Sequence, residues 1–279
     1  MFLIKKGLNF FVKNNFFVSV CVVALCMRTA QLLDVKMTLS FIGFIFCSTF
    51  LMYNFQRAIK YYQNRSEIQK KDVIKSSKFL SVFFVILALP LVVFFSIQLS
   101  LKTFLLLIPC FLISLLYPLR IIPVYSEKRS LRELPYLKIF FISAVWAVTT
   151  TVVVAVEHSL SLDKNQLLLL FCRLLFVLAI TIPFDIRDIK YDEKKLKTLP
   201  MLFGINGAKK IAYSCLIIAL VLNGFFLEAE KQFILSFMLT AIVACSLIYK
   251  STAFKKGYYY SVFVEGTSIL LYLSYFFIS

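Results

Sequence analysis

Three aspartates carry the strongest chemical signal in the sequence. Asp185, Asp188 and Asp192 close an apolar run in the stretch Thr181-Ile-Pro-Phe-Asp-Ile-Arg-Asp-Ile-Lys-Tyr-Asp. On a helix that continues past Pro183 they fall at i, i+3 and i+7, within about 60° of one another at about 100° per residue. Carboxylates on one face repel unless a cation sits among them. Hard oxygen ligands suit magnesium, which commonly takes one or two carboxylates together with substrate phosphates. Arg187, Lys190, Lys194, Lys195 and Lys197 follow closely and are able to meet phosphate oxygens. The pattern points to a diphosphate bound with Mg2+, its hydrocarbon tail held in a bilayer. Asp185, Asp188 and Asp192 are the candidate metal ligands and catalytic groups, and Arg187 and Lys197 the candidate substrate contacts. The competing reading is a solvated loop in which acids alternate with lysines.

The elements that must position these residues are membrane helices. Of 279 residues, 61% are hydrophobic and 16% charged, with a mean hydropathy of +0.87. Soluble domains run at about 45–50% apolar and about 25% charged, which excludes a soluble enzyme. A disordered chain needs low hydrophobicity and is excluded as well. Nine segments approach the roughly 20 apolar residues that a spanning helix needs: 9–27, 38–54, 79–97, 102–119, 136–156, 166–184, 209–227, 232–250 and 258–278. Alternate connections hold 25 of the 31 Lys and Arg residues. This asymmetry accounts for the net charge of +17 without nucleic acid as a partner, and it puts the N-terminus in the cytoplasm and the C-terminus outside. The expected fold is an all-α polytopic helix bundle of about nine spans, forming one domain over 1–279. It is expected in a cell membrane, of the bacterial inner-membrane type. Lys5, Lys6 and Lys13 ahead of Phe16–Met27 imitate a signal peptide, but Arg28-Thr29-Ala30-Gln31 makes a poor cleavage site, so this segment reads as an uncleaved span.

Other residues bear less weight. Arg173 and Glu265 fall inside spans, either lining a cavity or pairing with each other. The seven cysteines form no C-x-x-C pair and suit neither a metal nor a disulfide framework. His158, the only histidine, reads as a solvated loop residue. The 31 Phe residues and Trp146 either line a prenyl tunnel or fill helices. Pro183 is expected to kink the sixth span.

Asp-Ile-Arg-Asp-x-x-x-Asp, followed by Lys-Thr-Leu-Pro and Leu-Phe-Gly, closely resembles the second aspartate-rich motif of the UbiA superfamily of intramembrane prenyltransferases, and most of all the menaquinone-pathway type. Nine spans with an inside N-terminus are similar to that family's layout. So is Tyr117-Pro118-Leu119 followed by Lys128-Arg129, which the resemblance places among the substrate-binding residues. It implies transfer of a prenyl group from a polyprenyl diphosphate to a lipophilic, often aromatic, acceptor, with Mg2+ held by two aspartate-rich motifs.

The first of those motifs is degenerate. Asn54 matches its asparagine, but Phe55, Ala58 and Tyr62 stand where acids are expected, and Glu67 and Asp72 do not restore the spacing. The family's Arg-Pro element at the first span is also missing. Asn54, Arg57, Tyr61 and Arg65 share a helix face, so Arg57 and Arg65 are candidates to bind the diphosphate directly, since arginine grips phosphate without a metal. The same residues suit lipid headgroups. Two other readings stay open: a relative that lost turnover and serves as a lipid-binding or scaffold protein, and, last, a transporter.

Overall fold

Backbone surrounded by hydrocarbon must satisfy its own hydrogen bonds, so apolar runs bounded by polar residues become helices. The computed structural model describes residues 2–63, 71–124, 127–190, 192, 196–225, 230–255 and 257–278, and within these residues each of the nine predicted segments is mostly helix. Among the described residues seven stretches are long and apolar enough to cross a membrane: Leu39–Gln63, Phe79–Ser96, Lys138–Glu157, Lys164–Asp188, Leu199–Gly224, Lys231–Tyr249 and Tyr259–Ile278. Two shorter apolar helices, Phe16–Leu32 and Leu101–Leu116, occupy the first and fourth predicted segments. The chain groups into two compact units, Met1–Val23 with Met37–Arg132, and Ala24–Lys36 with Glu133–Ser279.

The first unit contains α1 (Phe2–Lys13), the start of α2 (Phe16–Leu32), α3 (Leu39–Gln63), α4 (Lys71–Ser96) and α5 (Leu101–Leu116). The first apolar helix begins later than the predicted 9–27, because the chain breaks at Asn14-Asn15. Asn15 adopts a left-handed φ of 68°, a conformation asparagine tolerates, and the Asn14 side chain donates back to Phe10 O at 2.9 Å. Phe16, Phe50 and Phe84 pack in tilted and edge-to-face pairs behind this break, with ring centroids 4.5 to 5.6 Å apart. Gly43 lets α4 approach α3; a Cβ there would meet the Phe95 ring at 2.7 Å. After α5 the chain forms a short antiparallel hairpin, β1 (Ile122–Val124) and β2 (Glu127–Arg129), where the sequence suggested only a loop.

The second unit holds the rest of α2, then α6 (Lys138–Thr150), α7 (Val152–Glu157), α8 (Lys164–Asp188), α9 (Leu199–Phe225), α10 (Lys231–Tyr249), a π-helical turn Tyr259–Val264 and α11 (Glu265–Ile278). Asp163 starts α8 with a capping box: its side chain accepts from the Asn165 and Gln166 amides, and Gln166 reaches back to the Asp163 amide. α8 then runs unbroken through Pro183. The helix that breaks is α9, at Gly204, whose φ of 71° suits glycine.

Small hydroxyl residues share the interior of this unit with large apolar ones such as Phe176, Ile182, Leu216 and Ile248. Ser143, Thr150, Ser236, Thr240, Ser268 and Ser274 are fully buried, and Ser274 Oγ donates to Ser236 O across α10 and α11 at 3.2 Å. Lipid is as apolar as leucine, so tight helix contacts are marked by small hydroxyl residues rather than by hydrophobicity.

Candidate functional site

α8 is capped at one end by Asp163 and carries Asp185 and Asp188 in its last turn. Asp192 follows one turn later, its amide donating to Asp188 O at 2.9 Å. The cation among these carboxylates is a side chain. Lys138, at the first position of α6, places Nζ 2.8 Å from Asp185 Oδ1 and 2.7 Å from Asp192 Oδ2. The Asp192 contact has hydrogen-bond geometry. The Asp185 contact is an ion pair outside that geometry, which leaves the buried Asp185 Oδ1 without a hydrogen bond. Asp188 faces elsewhere and forms a fork with Arg187, Nε to Oδ1 at 2.7 Å and Nη2 to Oδ2 at 3.0 Å.

Arg187 is itself held by aromatics. Its guanidinium carbon lies 5.0 Å from the Phe184 ring and 5.5 Å from the Tyr260 ring, with Glu265 in electrostatic range. Tyr260 is fully buried in the π-helical turn and donates its hydroxyl hydrogen to Thr252 O. Glu265 therefore faces the aspartate end of α8, and of the two readings open for Arg173 and Glu265, the one that pairs them with each other is not realised.

The expectation of one three-carboxylate metal face needs correction. Among the described residues no group of three or more His, Cys, Asp or Glu gathers closely enough to hold a metal. The helix ends at Asp188, which takes Asp192 off the predicted face, and Lys138 draws Asp185 and Asp192 together instead. Donors suited to Mg2+ remain: Asp188 and Asp192 are hard carboxylates with side chains 22% and 11% exposed, while Asp185 is only 2% exposed. Two accessible carboxylates match the one or two that magnesium takes beside substrate phosphates.

The remaining candidates divide clearly. Asn54 is fully buried; its Nδ2 donates to Phe50 O and Asn14 O, and its Oδ1 accepts from Asn15 Nδ2 at 3.1 Å. Arg57 Nη2 donates to Asn15 Oδ1 at 2.7 Å. These two residues tie α3 to the α1–α2 break rather than standing open for a ligand. Tyr117 is buried after α5, and its carbonyl accepts from the Arg132 amide at 3.1 Å. Lys128 and Arg129 lie on β2, opposite Pro123 and Ile122. Lys197 is exposed, with Nζ 5.7 Å from the Tyr136 ring, and Lys190 Nζ lies 3.7 Å from the Phe254 ring. Arg65, Lys194 and Lys195 lie outside the described residues. His158 is not merely solvated: its ring nitrogens lie 2.9 Å from Val154 O and 3.0 Å from Lys36 O.

Sequence reasoning gave Lys138 no role: it stands near the start of the predicted segment 136–156, where it reads as one more basic residue at a membrane edge. The available signal was a lone lysine leading the apolar run Pro-Tyr-Leu-Lys-Ile-Phe-Phe, where a charge needs a partner.

A largely helical, multi-pass membrane protein with cation-compensated aspartates at a helix end is the class these features define. Residues 73–261 match the UbiA prenyltransferase family, and the chain belongs to that family. Solved structures agree on the fold. A UbiA homolog from Aeropyrum pernix K1, in its apo form, superimposes with a TM-score of 0.68 at 15% identity, covering 92% of this chain and 96% of the other. A UbiA homolog from Archaeoglobus fulgidus bound to GPP and Mg2+ gives 0.65 at 13% identity, covering 96% and 99%. A digeranylgeranylglyceryl phosphate synthase gives 0.58 at 14% identity, covering 95% and 93%. No curated protein sequence matches significantly.

Proposed function

We propose that this protein is an intramembrane prenyltransferase of the cell membrane, with its N-terminus in the cytoplasm, which moves a prenyl group from a polyprenyl diphosphate to a lipophilic acceptor. The observation that carries this reading is the charged constellation ending α8, with Asp185 and Asp192 on Lys138 and Asp188 on Arg187, set in a UbiA-family helix bundle. The family solution with GPP and Mg2+ in the A. fulgidus homolog supports the substrate class and the metal.

In this reading Asp188 and Asp192 hold magnesium, which when bound offsets the negative charge that grows on the diphosphate as it leaves. Lys138 is a positioning residue: it keeps Asp185 and Asp192 from repelling and fixes Asp192 for its ligand. Arg187, supported by Phe184 and Tyr260, fixes Asp188 in the same way. In the transfer, the prenyl C1–O bond breaks and diphosphate departs with its electron pair. The acceptor's nucleophilic atom bonds to C1, and its displaced proton passes to solvent. Lys197 lies on the exposed side and meets the departing anion.

A second reading, a relative that binds prenyl lipids without turnover, draws on Phe55, Ala58 and Tyr62 at the first-motif positions and on the internal bonds of Asn54. One experiment separates the two. Purified protein is given prenyl diphosphates with and without Mg2+, and released diphosphate is measured. Release that depends on Mg2+ and disappears in Asp188→Asn is the expected result; prenyl diphosphate binding with no release in the wild type would overturn the enzymatic reading.

A further inference from the structure

About 18 Å along α8 from Asp185, a distance of twelve residues at 1.5 Å each, the second unit buries two more cations. Arg173 of α8 and Arg28 of α2 are each 3% exposed. The predicted first span stopped short of Arg28 and left it in an outer loop, whereas α2 carries it inside. Among the described residues every hydrogen-bond partner of the pair is neutral. Arg173 donates to Leu25 O at 2.9 Å, Thr150 Oγ1 at 3.3 Å and Thr29 Oγ1 at 3.1 Å. Arg28 Nη2 donates to Phe233 O at 3.0 Å and Ser236 Oγ at 2.6 Å, and its guanidinium lies 4.6 Å from the Phe233 ring. Among the described residues neither arginine has a carboxylate within ion-pairing distance.

Two features make this a site and not only a scaffold contact. Arg28 Nη1 is buried with no hydrogen-bond partner. Arg28 and Arg173 also line one small hollow, together with Asn223, Phe176, Phe237 and Leu271. The hollow has room for a group the size of one water molecule. Charges buried at membrane depth are almost always paired, because the alternative is an uncompensated ion in a medium that screens poorly. A guanidinium keeps its charge in proteins, so an anion from outside the chain would complete the pair.

We infer that Arg28 and Arg173 form a buried site for one small monovalent anionic group, either a free halide or the carboxylate end of a lipid acid. The hollow is too small for a whole diphosphate, and the site lies well away from the aspartates of α8. It is therefore separate from the prenyl diphosphate site.

The test is thermal unfolding of the full chain in detergent at constant ionic strength, with gluconate exchanged for bromide in one arm and oleate added in another. Bromide at a hundredfold excess over its Kd is expected to raise the Tm by about 5 °C. Arg28→Gln is expected to lose that rise while keeping its affinity for prenyl diphosphate. Crystals grown in bromide are expected to show an anomalous peak between the two guanidinium groups. A rise with oleate alone assigns the anionic group to a lipid. A wild type that responds to neither ligand, a rise of equal size in Arg28→Gln, or a water in place of bromide would each overturn the inference. If Arg28→Gln does not fold, Arg28→Lys replaces it, and the wild-type titration and the bromide peak still decide the matter.

Discussion

Two helix ends begin from similar sequence and arrive at different chemistry. In the first unit, α3 runs from an apolar stretch into Asn54 and Arg57; in the second, α8 runs from an apolar stretch into Asp185 and Asp188. Where α3 lacks acids, its polar groups turn inward and close the backbone break at Asn14-Asn15 through neutral and charge-assisted hydrogen bonds. Where α8 keeps acids, the fold brings a lysine from 47 and 54 residues away to stand between two of them. Carboxylates kept at the edge of an apolar bundle have to be matched by cations, because desolvation makes an unpaired charge costly. Asparagine at the same kind of position needs only hydrogen-bond partners, and it finds them locally.

The sharpest way to break this comparison is to remove the matching cation. Lys138→Met leaves Asp185 and Asp192 facing each other with no counter-charge. Losing one partner of a buried pair costs about 3–5 kcal/mol, so the variant is expected to unfold well below the wild type in detergent. Lys138→Met with Asp185→Asn is expected to recover part of the loss. A Lys138→Met protein as stable as the wild type would show that the ammonium does not hold this site together.

Next in size is Asp188→Asn. It keeps the shape of the α8 end and the contact to Arg187 but withdraws a metal-binding charge. Removing one electrostatic contributor from such a site lowers rates about 10²- to 10³-fold, and diphosphate release is expected to fall by that factor. Chelating the metal extends the contrast: turnover is expected to stop while the melting temperature barely moves, because Lys138 and Arg187 neutralise the aspartates without it.

Much of this arrangement was legible in the sequence, for reasons that also explain what was not. Hydropathy located the seven long apolar helices and the two shorter ones among the described residues, since a spanning helix must be apolar along its length whichever way it faces. The same property hid the interior. In lipid the outward face is apolar too, as Phe79 and Leu101 show at 71% and 72% exposure, so no periodicity singled out Ser236 or Ser274 as buried. Asp185 and Asp188 stood out because their spacing is local. Lys138 and Arg28 did not, because their partners lie on other helices and a charge at the edge of an apolar run reads as the start of a loop. The break at Asn14-Asn15 was missed because a left-handed residue leaves no mark on hydropathy.

The smaller effects test the α3 side. Asn54→Ala removes a buried amide with three internal bonds and leaves the Asn15 side chain short of a partner, a change that costs about 1–3 kcal/mol. Arg57→Ala removes one charge-assisted bond to Asn15 from a half-buried position, with an expected loss near 1 kcal/mol. Both losses are expected in melting temperature, with prenyl diphosphate affinity unchanged, because both side chains are bonded to the α1–α2 break. The opposite result for Arg57→Ala, normal stability and affinity weakened about tenfold, a change of about 1.4 kcal/mol, would make α3 a ligand-binding element. It would mean that arginine took over the role of the acids missing at Phe55, Ala58 and Tyr62, and the contrast between the two helix ends would then be one of charge sign and not of function.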